Sequence, residues 1–81
     1  MVIPNTKEEE IEFLENSMTL ISTSLSANIQ LRNKYKLIMS KLTNKKDKEL
    51  YKEKLDKVNK DIEYYQKSLD YINKRIEELE S

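Results

Sequence analysis

Tyr51, Leu55, Val58, Ile62, Tyr65, Leu69, Ile72, Ile76 and Leu79 recur at alternating steps of four and three through the second half of the chain. This is an a/d heptad without a miss, and it commits the segment to an α-helix that buries one narrow stripe against another helix. In the first half Ile11, Leu14, Met18, Ile21 and Leu25 follow the same rhythm. Asn28 and Arg32 take the next two positions, and Tyr35, Met39 and Leu42 resume in phase. The single Pro is residue 4 and there is no Gly, so nothing after the first few residues is a dedicated helix breaker.

The two stripes are separated by the polar run Thr43-Asn44-Lys45-Lys46-Asp47-Lys48-Glu49, and their heptad phases differ by two residues. One straight seam is therefore disfavoured. Folding the halves back on each other, so that paired residue numbers add to 90, sets every a position against a d position. Ile11 then meets Leu79, Leu14 meets Ile76, Asn28 meets Ile62, Arg32 meets Val58, Tyr35 meets Leu55 and Met39 meets Tyr51. Of the 20 seam positions 17 are apolar, against 37% of the whole chain, so the expected fold is all-α, an antiparallel two-helix coiled-coil hairpin. A short tail is expected over residues 1–5, helix 1 over about 6–42, a turn over about 43–47 centred near Lys45, and helix 2 over about 47–80. Asn5 or Thr6 should cap the first helix, with Glu8, Glu9 and Glu10 complementing its dipole. Asn44 can end helix 1 in the left-handed conformation, and Asn44 or Asp47 can cap helix 2. The rival is one continuous helix of about 110 Å in a parallel dimer.

A second apolar face lies beside the seam. Phe13, Leu20, Ala27, Leu31, Ile38, Leu50, Tyr64 and Tyr71 fall at c and g heptad positions, which share one broad side of an antiparallel pair. Ser17, Ser24 and Ser68 on that side are small enough for another helix to come close. The opposite side is polar apart from Ile29. A contiguous stripe of this length marks an interface, whereas scattered exposed apolar residues would not. The expected use is homodimerisation into a four-helix bundle, or reception of another protein's helices. The blander alternative is that these residues widen the seam of a monomer. Asn28 and Arg32, polar in the middle of the seam, are read as residues that set register and orientation, with Arg32 near enough to pair with Asp61.

The 15 basic and 15 acidic side chains cancel overall, yet they are separated along the rod. Residues 1–25 carry net −4, residues 26–54 net +6 and residues 55–81 net −2. Lys41, Lys45, Lys46, Lys48, Lys52 and Lys54 gather at the expected tip. Such a patch can hold a phosphate backbone or an acidic protein, or can simply be solvated. Four acid-then-base pairs at i, i+4, Glu53 with Lys57, Asp56 with Lys60, Glu63 with Lys67 and Asp70 with Lys74, account for many of the other charges.

With no His and no Cys, both the usual nucleophile–base pairs and the usual zinc ligands are missing, and no Gly-rich turn exists to cradle a phosphate. No catalytic residue, metal or cofactor is expected. No apolar run approaches a membrane span of roughly 20 residues. Met1-Val2-Ile3-Pro4 leads into acids rather than a signal core, so a cytoplasmic location is the expectation. Abundant Lys, Asn and Ile point to an AT-rich genome, such as a low-GC bacterium or its phage. In gross architecture the expected hairpin resembles the type VII secretion substrates, whose turn carries Trp-x-Gly; this chain has neither residue. Lys54-Leu55-Asp56 and Ser68-Leu69-Asp70 resemble part of the motif of the small phosphatases that act on sporulation response regulators, too short a stretch to transfer a role. The functional expectation is a small non-enzymatic interaction protein, a regulator, inhibitor or chaperone-like adaptor, that binds a protein partner through helical faces. The alternative is a nucleic-acid-binding module that uses the Lys-rich tip.

Overall fold

The computed structural model of the chain describes residues 6–81; the tail expected over residues 1–5, with Asn5, lies outside them. Two helices, α1 (Lys7–Lys41) and α2 (Lys45–Glu80), pack against each other as a rod of 57 × 24 × 14 Å. There is no strand among the described residues. The hairpin thus forms, and the continuous helix does not.

Each helix boundary has a local cause. Thr6 is extended, and its hydroxyl accepts a hydrogen bond from the Glu9 backbone N–H at 3.2 Å, while Glu8, Glu9 and Glu10 occupy the first turn of α1. One of the orphan donors of the helix start is thereby satisfied, and the acids meet the positive end of the dipole. At the far end Leu42 turns extended, with φ −79° and ψ 139°, and its N–H reaches back to the Met39 carbonyl at 3.2 Å. Asn44 is extended as well, and its side-chain oxygen accepts from Lys46 N at 2.8 Å and Asp47 N at 3.3 Å. The left-handed termination expected at Asn44 is absent: no described residue has a positive φ. A Gly-free connection is possible because Leu42–Asn44 leaves the helix through the β region, and Asn44 spends its side chain on capping α2.

The seam is where the heptads place it. Every a and d position from Ile11 to Leu79 is buried or half-buried except Lys48, which is exposed. Among the described residues only Val58, Ile62 and Ile72 are buried, at 5%, 5% and 7% exposure. Two helices alone cannot enclose more, since each seam side chain still has solvent on one flank.

The register differs from the pairing expected in the sequence. Tyr35 meets Tyr51 edge to face with ring centroids 5.7 Å apart, rather than Leu55. Leu14 shares a groove with Ile72 rather than Ile76, and Asn28 shares one with Val58 rather than Ile62. All three contacts lie about one helical turn earlier on α2. The connection explains the shift: α2 begins at Lys45, so the turn centres on Thr43 and not on Lys45, which slides α2 along α1. These contacts set d against d, where the expected pairing set a against d; seam residues meet in either alignment, and the length of the connection chooses between them. The Arg32–Asp61 ion pair does not form; the Arg32 Nε is buried without a hydrogen-bond partner. Asn28 does not bridge the seam either, because its Nδ2 donates to the Ser24 carbonyl of its own helix at 2.8 Å. Of the four expected i, i+4 pairs only Glu63–Lys67 closes, at 3.0 Å.

The Asn44 cap separates hairpin from continuous helix in solution. Asn44→Ala should lower unfolding stability by about 1 kcal/mol and Asn44→Gly by only a few tenths, as for other N-cap losses. Were residues 42–44 helical, Ala would raise stability there instead. Urea unfolding followed by circular dichroism reads the sign.

Candidate interaction surface

Position g on each helix flanks the seam on one side and position e on the other. The two sides differ in depth. Glu10, Ser17, Ser24, Leu31, Ile38, Asp61, Ser68 and Arg75, all at g, are half-buried, whereas Glu15, Ser22, Lys36, Lys52, Asn59, Gln66 and Asn73, all at e, are exposed. Ile29 is the half-buried exception on the e side. The serines at 17, 24 and 68 have no bulk to hold the helices apart, so the g side closes over the seam while the e side stays open to water.

Three open depressions run in file along the g side. At the end near the termini, Glu10, Tyr71, Lys74, Arg75 and Glu78 line the first. There the Arg75 Nε donates to the Glu10 carboxylate at 3.0 Å across the hairpin, and its Nη1 reaches Glu78 at 3.3 Å. The hydrogen bond and charge of Glu10, with a smaller contribution from Glu78, hold the guanidinium above its ordinary range. Arg75 therefore stays charged at any pH the fold meets. The second depression is apolar: Leu14, Ile21 and Ile72 form its floor with Ser17 and Ser68, and Phe13, Tyr64, Tyr71 and Lys67 form its walls. Phe13, Tyr64 and Tyr71 are 45%, 67% and 70% exposed, and Leu20 on the same flank is 72% exposed. The third, toward the tip, brings Leu31, Asn28, Tyr35 and Val58 together with Lys54, Lys57 and Asp61.

The residues read from the sequence as an interface divide accordingly. Phe13, Tyr64 and Tyr71 surround the apolar groove, Leu31 lines the third depression, Ile38 is half-buried, and Leu50 is half exposed near the tip. Ala27 sits at the shoulder of α1, where it also lines a shallow depression with Met18, Thr19, Ser22, Thr23, Ser26 and Gln30. Leu37, 58% exposed, stands outside the stripe. At the tip Lys41, Lys45, Lys46, Lys48 and Lys52 are exposed. The Lys54 Nζ instead lies 5.0 Å from the Tyr51 ring and 5.9 Å from the Tyr35 ring, a cation over an aromatic pair. The Glu10–Arg75 bridge was not anticipated from the sequence. Both residues occupy g positions, and the signal becomes readable only once the register is known.

No described helix is long and apolar enough to cross a membrane, and among the described residues no three acidic, His or Cys side chains group as metal ligands would. Comparison with known proteins brings no match: no family model, curated protein or solved structure is similar to this chain.

The Glu10–Arg75 bridge ties α1 to α2 at the open end of the hairpin. Arg75→Met should leave that end to fray, speeding amide exchange over residues 8–14 several-fold while exchange around Ile62 holds its rate. Hydrogen exchange read by NMR tests both halves of the statement.

Proposed function

We propose that this chain is a small non-enzymatic interaction protein of the cytoplasm, a regulator, inhibitor or chaperone-like adaptor, that works by presenting helical faces to a protein partner. The observation that carries this reading is the apolar groove walled by Phe13, Tyr64 and Tyr71, with Leu20 beside it. Large aromatic side chains left exposed in a row, above a floor of seam residues, have the anatomy of a helix-in-groove site. Helices laid along it complete a four-helix bundle, and two copies of the chain do this as a homodimer. The thin seam supports the same reading, since a domain of this size with three buried residues gains most of its missing core by pairing.

The test is a charge placed on the face. Leu20→Glu and Tyr64→Glu replace exposed side chains, so each variant should keep its helical circular dichroism and lose association, falling to monomer mass in sedimentation equilibrium at micromolar concentration. Unchanged mass and unchanged partner capture in both variants would mean that the stripe only widens a monomer's seam.

A second reading belongs to the tip, where Lys45, Lys46 and Lys48 stand in the first turn of α2. Positive charge is unfavourable at that end of a helix dipole, and a nucleic-acid backbone would relieve it. This reading expects a DNA or RNA probe to shift at low salt and to be released when the three lysines are changed to Ala. No shift of either probe at low salt removes it.

A further inference from the structure

The face that the proposed function relies on has a polarity along the rod, and that polarity selects an occupant. We infer that the apolar face is covered by a second copy of this chain lying antiparallel, so that the basic tip of each hairpin rests against the acidic open end of the other. The inference rests on the reading of that face as an interaction surface and adds to it the identity and direction of what it binds.

Four observations converge on this arrangement. The first is position. The apolar part of the stripe on α1 runs from Phe13 to Leu31, and its midpoint falls two residues from the midpoint of Lys7–Lys41. A two-fold axis through the stretch therefore lays the apolar stretch of one copy on that of the other, with the ends of the two rods offset by only about 6 Å, one helical turn.

The second is charge. Lys34, Lys41 and Lys54 stand on the tip side of the apolar stretch, and at its other end Glu10 and Glu78 stand with Arg75, which bonds both, and with Lys74. Antiparallel pairing sets Lys34 level with Glu10 of the other copy. It also brings the segment of net +6 against segments of net −4 and −2 at both ends at once. Parallel pairing sets the segment of net +6 against itself and the acidic segments against each other, which is repulsive at both ends of the contact.

The third is the α2 start. Lys45, Lys46 and Lys48 oppose the dipole of the helix they begin, with Asp47 as the single acid among them. An acidic neighbour compensates this arrangement, and the open end of an antiparallel copy belongs to the segments of net −4 and −2.

The fourth is area. The chain exposes 6498 Å², whereas a compact monomer of 9.7 kDa exposes about 5,100 Å². The excess is larger than the roughly 800 Å² that each partner gives to a standard interface. A second rod laid along the stripe thus has surface enough to form a stable dimer.

The protein's lack of cysteine makes the orientation directly measurable. Thr43→Cys puts one nitroxide at the tip of each hairpin, and pulsed dipolar spectroscopy reads the distance between the tips. The antiparallel dimer predicts about 60 Å, from some 42 residues at 1.5 Å each. A distance of about 10 to 25 Å, set by the spacing of adjacent helices and the label arms, would mean parallel copies; it would overturn the orientation while leaving the interaction face in place. Absence of any dipolar signal, with monomer mass, would overturn self-pairing and leave the face to a heterologous protein. A second measurement isolates the charges. Lys45→Glu, Lys46→Glu and Lys48→Glu together should weaken dimerisation at least tenfold at low salt and far less in half-molar salt. An unchanged dissociation constant at low salt would overturn the tip-to-end contact.

Discussion

Everything in this protein depends on a seam one side chain wide. Two helices in contact bury a single stripe, and the stripe here contains Val58, Ile62 and Ile72 as its only buried members, with the remaining a and d residues other than Lys48 half-buried around them. Fully burying an aliphatic side chain contributes about 1.5 to 3 kcal/mol, and half-burial contributes correspondingly less. The ordering of two helices of 35 and 36 residues is opposed by chain entropy. A hairpin of this kind sits close to balance. The caps at Thr6 and Asn44 and the cross-hairpin bridge of Glu10 with Arg75 therefore weigh more than they would in a larger domain.

The g side concentrates what the seam cannot bury. Serines at three g positions let the helices approach there, so the groove floor reaches down to Leu14, Ile21 and Ile72 while Phe13, Tyr64 and Tyr71 stand around it. The e side has charged and amide side chains at the equivalent places and stays wet. One sequence thus builds a rod with a polar back, an apolar front and a charge gradient from end to end. These three properties are separable in principle, yet in this chain they share the same two helices.

The helices and their antiparallel packing were legible because a nine-residue a/d repeat in one half and a nearly complete one in the other leave few alternatives. The register was not legible. Tyr35 against Tyr51 pairs d with d and Tyr35 against Leu55 pairs d with a; both keep seam residues together, and the choice depends on whether Lys45 and Lys46 belong to the turn or to α2. A run of lysines looks like a loop by composition, whereas the Asn44 cap makes it the start of a helix. The surface follows the same division. The c and g stripe could be read from spacing alone, but the Glu10–Arg75 bridge, the aromatic pair beneath Lys54 and the failure of Arg32 to meet Asp61 all depend on the alignment of the two helices, which spacing leaves open by one turn.

The connection between the helices has a topological consequence. Leu42 and Asn44 are extended, with ψ of 139° and 125°, and no described residue has a positive φ. Rotation of a few ψ angles into the α region is thus enough to turn the bend into helix, with no left-handed residue to carry through a forbidden region. The bend is a hinge with no covalent or steric lock. A chain that straightened there would carry its two stripes on different sides of one helix, since their heptad phases differ by two residues, so the bend alone is what turns the two stripes toward each other.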